Sequence, residues 1–129
     1  MDIGAIRRRV ALGLAVLTAS GLLALMSPGS AAAAASYCSG REVRKLPFST
    51  GTVRVYKSRG YVCAVTFPKR QGGRKQMSVS VRARGGRPDK DEGLFSHHAG
   101  PARVHAGRRC VWITGSVGRG SVSSGWILC

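Results

Sequence analysis

Residues Gln76 to Arg84 read QMSVSVRAR. Met77, Val79, Val81 and Ala83 share one parity, and Ser78, Ser80, Arg82 and Arg84 share the other. Side chains along an extended chain leave alternate faces, so this segment predicts a strand with one core face and one wet, basic face. No part of the chain from Ser36 onward repeats apolar residues at helical spacing. β-Branched and aromatic residues alternate with polar ones between Gly-rich turns instead, the pattern of short antiparallel strands.

On the N-terminal side lies TVRVYKSRGYVCAVTF, Thr52 to Phe67. A three-residue loop Ser58-Arg59-Gly60 would pair Lys57 with Tyr61, Val55 with Cys63 and Val53 with Val65. Val53, Val55, Tyr61, Cys63, Val65 and Phe67 then share one face. A two-residue loop would oppose Arg54 to Val65, so burial decides the register. The flanking segments PKRQGGRK and GGRPDKDEG read as turns from their Gly, Pro and Asp content. The second holds Asp89, Asp91 and Glu92, reads as a self-neutralising exposed loop, and lacks the oxygen spacing of an EF-hand calcium loop.

Toward the C-terminus, strands are expected at Leu94 to Ala99, Ala102 to Ala106 and Cys110 to Thr114. The closing GSVGRGSVSSGWILC reads as a Gly/Ser loop ending in a short strand that packs Trp126 and Ile127. Six or seven short strands at turn spacings near ten residues predict an all-β domain, a small antiparallel sandwich or barrel.

The first 35 residues stand apart. DIGAIRRR is a positive n-region, Val10 to Met26 is apolar, and SPGSAAAAAS supplies small residues for an A-x-A cleavage site. The apolar run is about 17 residues against the roughly 20 of a spanning helix, and Pro28 and Gly29 close it. Residues 1–35 therefore read as a signal peptide and 36–129 as a single secreted domain with no transmembrane segment.

The whole chain of 129 residues carries 21 Lys and Arg against 5 Asp and Glu. Removing Arg7, Arg8, Arg9 and Asp2 leaves 18 cations against Glu42, Asp89, Asp91 and Glu92, a net of +14 on about 94 residues. Such a surface attracts polyanions. The candidate contacts are Lys69, Arg70, Arg74, Lys75, Arg82 and Arg84, and the candidate partners are anionic polymers of the wall or spore surface.

Cys38, Cys63, Cys110 and Cys129 all lie in the exported part. An even count in a short secreted chain implies two disulfides. Three connectivities are possible; the sequential one, Cys38 with Cys63 and Cys110 with Cys129, is expected, each contributing about 3 kcal/mol by restricting the unfolded chain. The gaps between cysteines lack the close pairs of a zinc site.

All three histidines fall in FSHHAGPARVHAGRRC, Phe95 to Cys110. His97 and His98 leave opposite faces of a strand, and a hairpin through AGPA brings His105 level with only one of them. With no carboxylate beside them and Arg103, Arg108 and Arg109 near, a metal site is not expected, nor any other cofactor. A small secreted ribonuclease is the catalytic alternative, with His98 or His105 as acid, Glu42 or Glu92 as base and Arg103 as phosphate clamp. No small-molecule substrate is indicated and no G-x-S-x-G elbow is present. A cationic antimicrobial factor is a further alternative, opposed by the lack of an amphipathic helix.

GLFSHHAGPARVHAGRRCVW resembles the C-terminal half of the spore-associated protein family, small exported proteins of filamentous, spore-forming bacteria. The shared features are Phe95, Ala99 to Pro101, Val104, Cys110 to Trp112, Gly115 and Cys129, with Cys38, Gly40 and YVCAVT in the first half. The resemblance implies a secreted, surface-associated protein without catalytic residues to carry over. Two departures stand out: His97 and His98 occupy positions where tyrosines are expected, and this chain is far more basic. The reading is thus a secreted, disulfide-stabilised, non-catalytic envelope protein.

Overall fold

The computed structural model describes residues 37–129; the proposed signal peptide lies outside the described residues. Eight strands follow in order: β1 (Arg41–Phe48), β2 (Gly51–Ser58), β3 (Tyr61–Pro68), β4 (Lys75–Ala83), β5 (Asp89–Phe95), β6 (Ala99–His105), β7 (Val111–Val117) and β8 (Gly120–Ile127). They build two antiparallel four-stranded sheets, β1-β2-β3-β6 and β5-β4-β7-β8. The domain is a β-sandwich.

The chain changes sheets three times, from β3 to β4, from β5 to β6 and from β6 to β7. As a result β3 pairs with β6 in one sheet while their successors β4 and β7 pair in the other. The inner faces of these central strands make the core. Val53, Val55, Val62 and Ala64 of the first sheet meet Met77, Val79, Val81, Val111 and Ile113 of the second, all essentially inaccessible. The alternation of QMSVSVRAR is realised: Met77 to Ala83 point in, and Ser78 to Arg82 point out.

The β2–β3 hairpin corrects the expected register by one residue. Ser58 pairs with Tyr61, Tyr56 with Cys63 and Arg54 with Val65, so the loop is the two-residue Arg59-Gly60. Both residues take positive φ, 51° and 83°, which matches the right-handed twist of the flanking strands. Val53 and Val55 therefore do not share a face with Cys63, Val65 and Phe67. These last three join Cys38 and Tyr56 in a second apolar cluster on the outer side of the same sheet. Burial did not forbid this register because β3 is buried on both faces.

The N-terminal segment makes that possible. A disulfide ties Cys38 to Cys63, and Tyr37 stacks on His98 above Phe67. They cover Cys63, Val65 and Phe67 on the outer face of the first sheet, while Tyr61 on the same face stays exposed beneath Arg103. The second disulfide joins Cys110 to Cys129 beside the start of β7.

Three further expectations are corrected. DKDEG is no loop: it forms most of edge strand β5, because such a strand needs only Phe95 in the core and tolerates charge elsewhere. The segments around AGPA do not form a hairpin, since β5 pairs with β4 and β6 with β3 in different sheets. The terminal Gly/Ser segment is also a full strand, with β8 paired to β7 from Gly120 to Ile127. Its serines satisfy an outward face rather than a loop.

Candidate functional site

Three connections meet at one end of the sandwich: the β1–β2 turn, the β3–β4 loop and the β7–β8 turn. Thr50 Oγ1 donates to the Val117 carbonyl at 2.6 Å and bridges the two sheets. The Lys69 N–H donates to Thr50 O at 2.8 Å, and the Gly118 N–H to Gln76 O at 2.7 Å. Between these turns lies a groove of about 510 Å³, lined by Ser49, Thr50, Lys69, Arg70, Lys75, Val117, Gly118 and Arg119. It carries four cations, two hydroxyls and no carboxylate.

Lys75 holds the loop itself, its Nζ donating to Arg70 O at 2.9 Å and Gly72 O at 2.7 Å. The side chains of Lys69, Arg70 and Arg119 are exposed, and no carboxylate pairs with them among the described residues. Like charges held around one concavity, with nothing opposing them, focus a positive potential there.

The six candidate cations therefore divide. Lys69, Arg70 and Lys75 gather in the groove. Arg74 lies apart, in a shallow cavity of about 400 Å³ with Phe95, His97 and His98. Arg82 and Arg84 sit at the opposite end of β4, roughly 23 and 30 Å from Lys75 at strand rise. Arg119 completes the groove and was not a candidate from the sequence. Its only mark is its place in a Gly-Arg-Gly turn, and its neighbours follow from sheet order alone.

The histidines have separate surroundings. His97 Nδ1 is 3.0 Å from Gln71 Oε1, His98 stacks 4.2 Å from Tyr37, and His105 meets Tyr61 edge-on at 5.0 Å. Burial, and then the neighbouring His97, hold the His98 pKa below the ordinary histidine value, while Asp91 pulls it up. No group of His, Cys, Asp and Glu among the described residues could hold a metal ion.

The carboxylates are placed equally plainly. Glu42 meets Arg54 at 2.9 Å and Glu92 meets Lys90 at 2.6 Å. Glu42 and Arg103 occupy the two ends of one rung across β1, β2, β3 and β6, about 14 Å apart at strand spacing. Asp91 Oδ2 accepts the Gly100 N–H and Asp89 Oδ2 the Arg103 N–H, both at 2.8 Å. These two aspartates clasp edge strand β5 to edge strand β6 across the side of the sandwich.

The outer face of β5-β4-β7-β8 has no second apolar cluster over it among the described residues. Its successive rungs are Glu92-Ser78-Ser116-Ser121, Lys90-Ser80-Thr114-Ser123 and Arg82-Trp112-Trp126. The guanidinium carbons of Arg82 and Arg84 lie 5.1 and 4.8 Å from the Trp126 ring centroid. Trp112 stands edge-on to Trp126 at 5.3 Å and is 36% exposed. In comparison with known proteins, the chain matches no family model, no curated protein and no solved structure.

Proposed function

We propose that this protein is an exported, non-catalytic domain of the cell or spore envelope that adheres to anionic polymers. The observation that carries the reading is the groove in which Lys69, Arg70, Lys75 and Arg119 meet with no carboxylate among its lining. Two disulfides in a short chain fit an oxidising compartment outside the cytoplasm. The signal-peptide pattern of residues 1–35 and the resemblance to spore-associated proteins support the same location. A net charge of +14 on the domain gives the attraction its range, and the groove gives it a place.

Retention of the purified protein on isolated cell walls, measured against salt, tests this. Charge-driven binding should fall steeply with salt, by analogy with phosphate polymers. The variant Lys69→Gln/Arg70→Gln/Arg119→Gln should lose most of the retention at every salt concentration. Retention indifferent to both salt and the triple substitution would remove the proposal.

A further inference from the structure

The open face of β5-β4-β7-β8 carries a second arrangement that the groove does not explain. On it Trp112, 36% exposed, stands in one rung with Trp126 and Arg82. A single exposed aromatic is ordinary, so the weight falls on what stands around it. Two arginines stand beside it, and among the described residues neither pairs with a carboxylate.

The rest of the face is a field of hydroxyls. Ser78 and Ser116 meet at 2.6 Å, and Ser123 Oγ accepts the Trp112 Nε1–H at 2.9 Å, which turns the N–H edge of the indole toward the hydroxyl rungs. The hydroxyls of Ser80, Thr114 and Ser121 have no hydrogen-bond partner among the described residues. Each can both donate and accept.

From this juxtaposition we infer that the Trp112 face binds an acidic polysaccharide. One sugar ring would lie on Trp112, its carboxylate would meet Arg82 and Arg84, and its neighbours would run over Ser80 and Thr114. The weakly positive C–H face of a pyranose complements the negative face of an indole. Guanidinium forks match a carboxylate with two parallel donors, and their seats over Trp126 hold them in place.

The hydroxyl rungs favour a sugar over a nucleic acid. A phosphodiester backbone offers acceptors only and needs cations along its whole track, whereas on this face Lys90 is paired with Glu92 and only Arg82 and Arg84, at one end, face no carboxylate. A polyol phosphate without rings would leave Trp112 uncovered. The inference is independent of the groove, which lies at the other end of β4, so either can fail alone.

The test is a titration of the oxidised protein with oligogalacturonate, followed by intrinsic tryptophan fluorescence at fixed salt. Saturable quenching is expected, with neutral dextran oligomers giving none. Trp112→Ala and Arg82→Gln/Arg84→Gln should each weaken binding at least tenfold, and Trp112→Phe should recover part of it. Unchanged thermal melting would show that these variants fold, and Arg44→Gln/Lys45→Gln, on exposed positions of β1 in the other sheet, should leave the affinity within twofold. The inference is overturned if oligogalacturonate causes no quenching, if Arg44→Gln/Lys45→Gln loses binding as Trp112→Ala does, or if oligouridylate binds more tightly than oligogalacturonate.

Discussion

Gly115 and Thr66 face each other across the middle of the core, and both are tuned to the same space. A Cβ on Gly115 would run into Val53 Cγ2 and Thr66 Oγ1, so Gly115→Ala should cost about 1–3 kcal/mol by overpacking, measured by denaturant unfolding. The Thr66 hydroxyl is fully buried without a hydrogen-bond partner among the described residues. Thr66→Val keeps the shape and removes the unsatisfied group, so it should raise stability by about 1 kcal/mol in the same assay. His98 acts through protonation. Its folded pKa lies below its unfolded value near 6.5, so the unfolded state takes up the proton first as pH falls. Its contribution is therefore intact above that pH and is lost as pH falls toward the folded value. Thermal melts on either side of 6.5 should show a smaller acid loss in His98→Phe, which keeps a ring against Tyr37; parallel losses in both proteins would exclude His98 as the source.

At the scale of the strand, legibility followed the number of buried faces. The one-sided β4 was readable residue by residue, because Met77, Val79, Val81 and Ala83 alternate with polar neighbours. In β3 the residues YVCAVTF are apolar on both parities, so alternation could not choose between the two registers of its hairpin. The turn chose, with Arg59 and Gly60 both at positive φ. Edge strand β5 was misread for the opposite reason, since its charged residues carry almost no apolar signal. Asp89 and Asp91 serve instead as acceptors for the main-chain N–H groups of β6. Hydrogen bonds to a charged acceptor contribute about 1.5–3 kcal/mol, so Asp91→Ala should destabilise by that order and raise amide exchange at Gly100. An unchanged exchange rate there would show that the clasp does not hold the edge. The candidate site was legible only in part: Lys69, Arg70 and Lys75 are close in sequence, but Arg119 joins them through the meeting of three turns, and the Arg82-Trp112-Trp126 rung needs the order β4-β7-β8.

For the whole molecule, the all-β sandwich and the two sequential disulfides agree with what cysteine count and strand pattern predicted, while eight strands stand in place of six or seven and the interleaving of β3, β6, β4 and β7 is what the sequence could not express. Both disulfides tie into this central set: Cys38 reaches β3 through Cys63, and Cys129 is fixed at Cys110 just before β7. This sets the path of a mechanical load through the domain. Tension applied between residues 37 and 129 crosses the covalent links, passes by β1, β2, β7 and β8, and loads only the segment from Cys63 to Cys110. That segment has a contour length of roughly 160 Å, against roughly 310 Å for the span from Cys38 to Cys129. Single-molecule pulling should show the shorter release in oxidised protein and the longer one after reduction. A pull on the oxidised domain therefore draws the groove's Lys69, Arg70 and Lys75 away from Arg119, and leaves Trp112 beside Trp126.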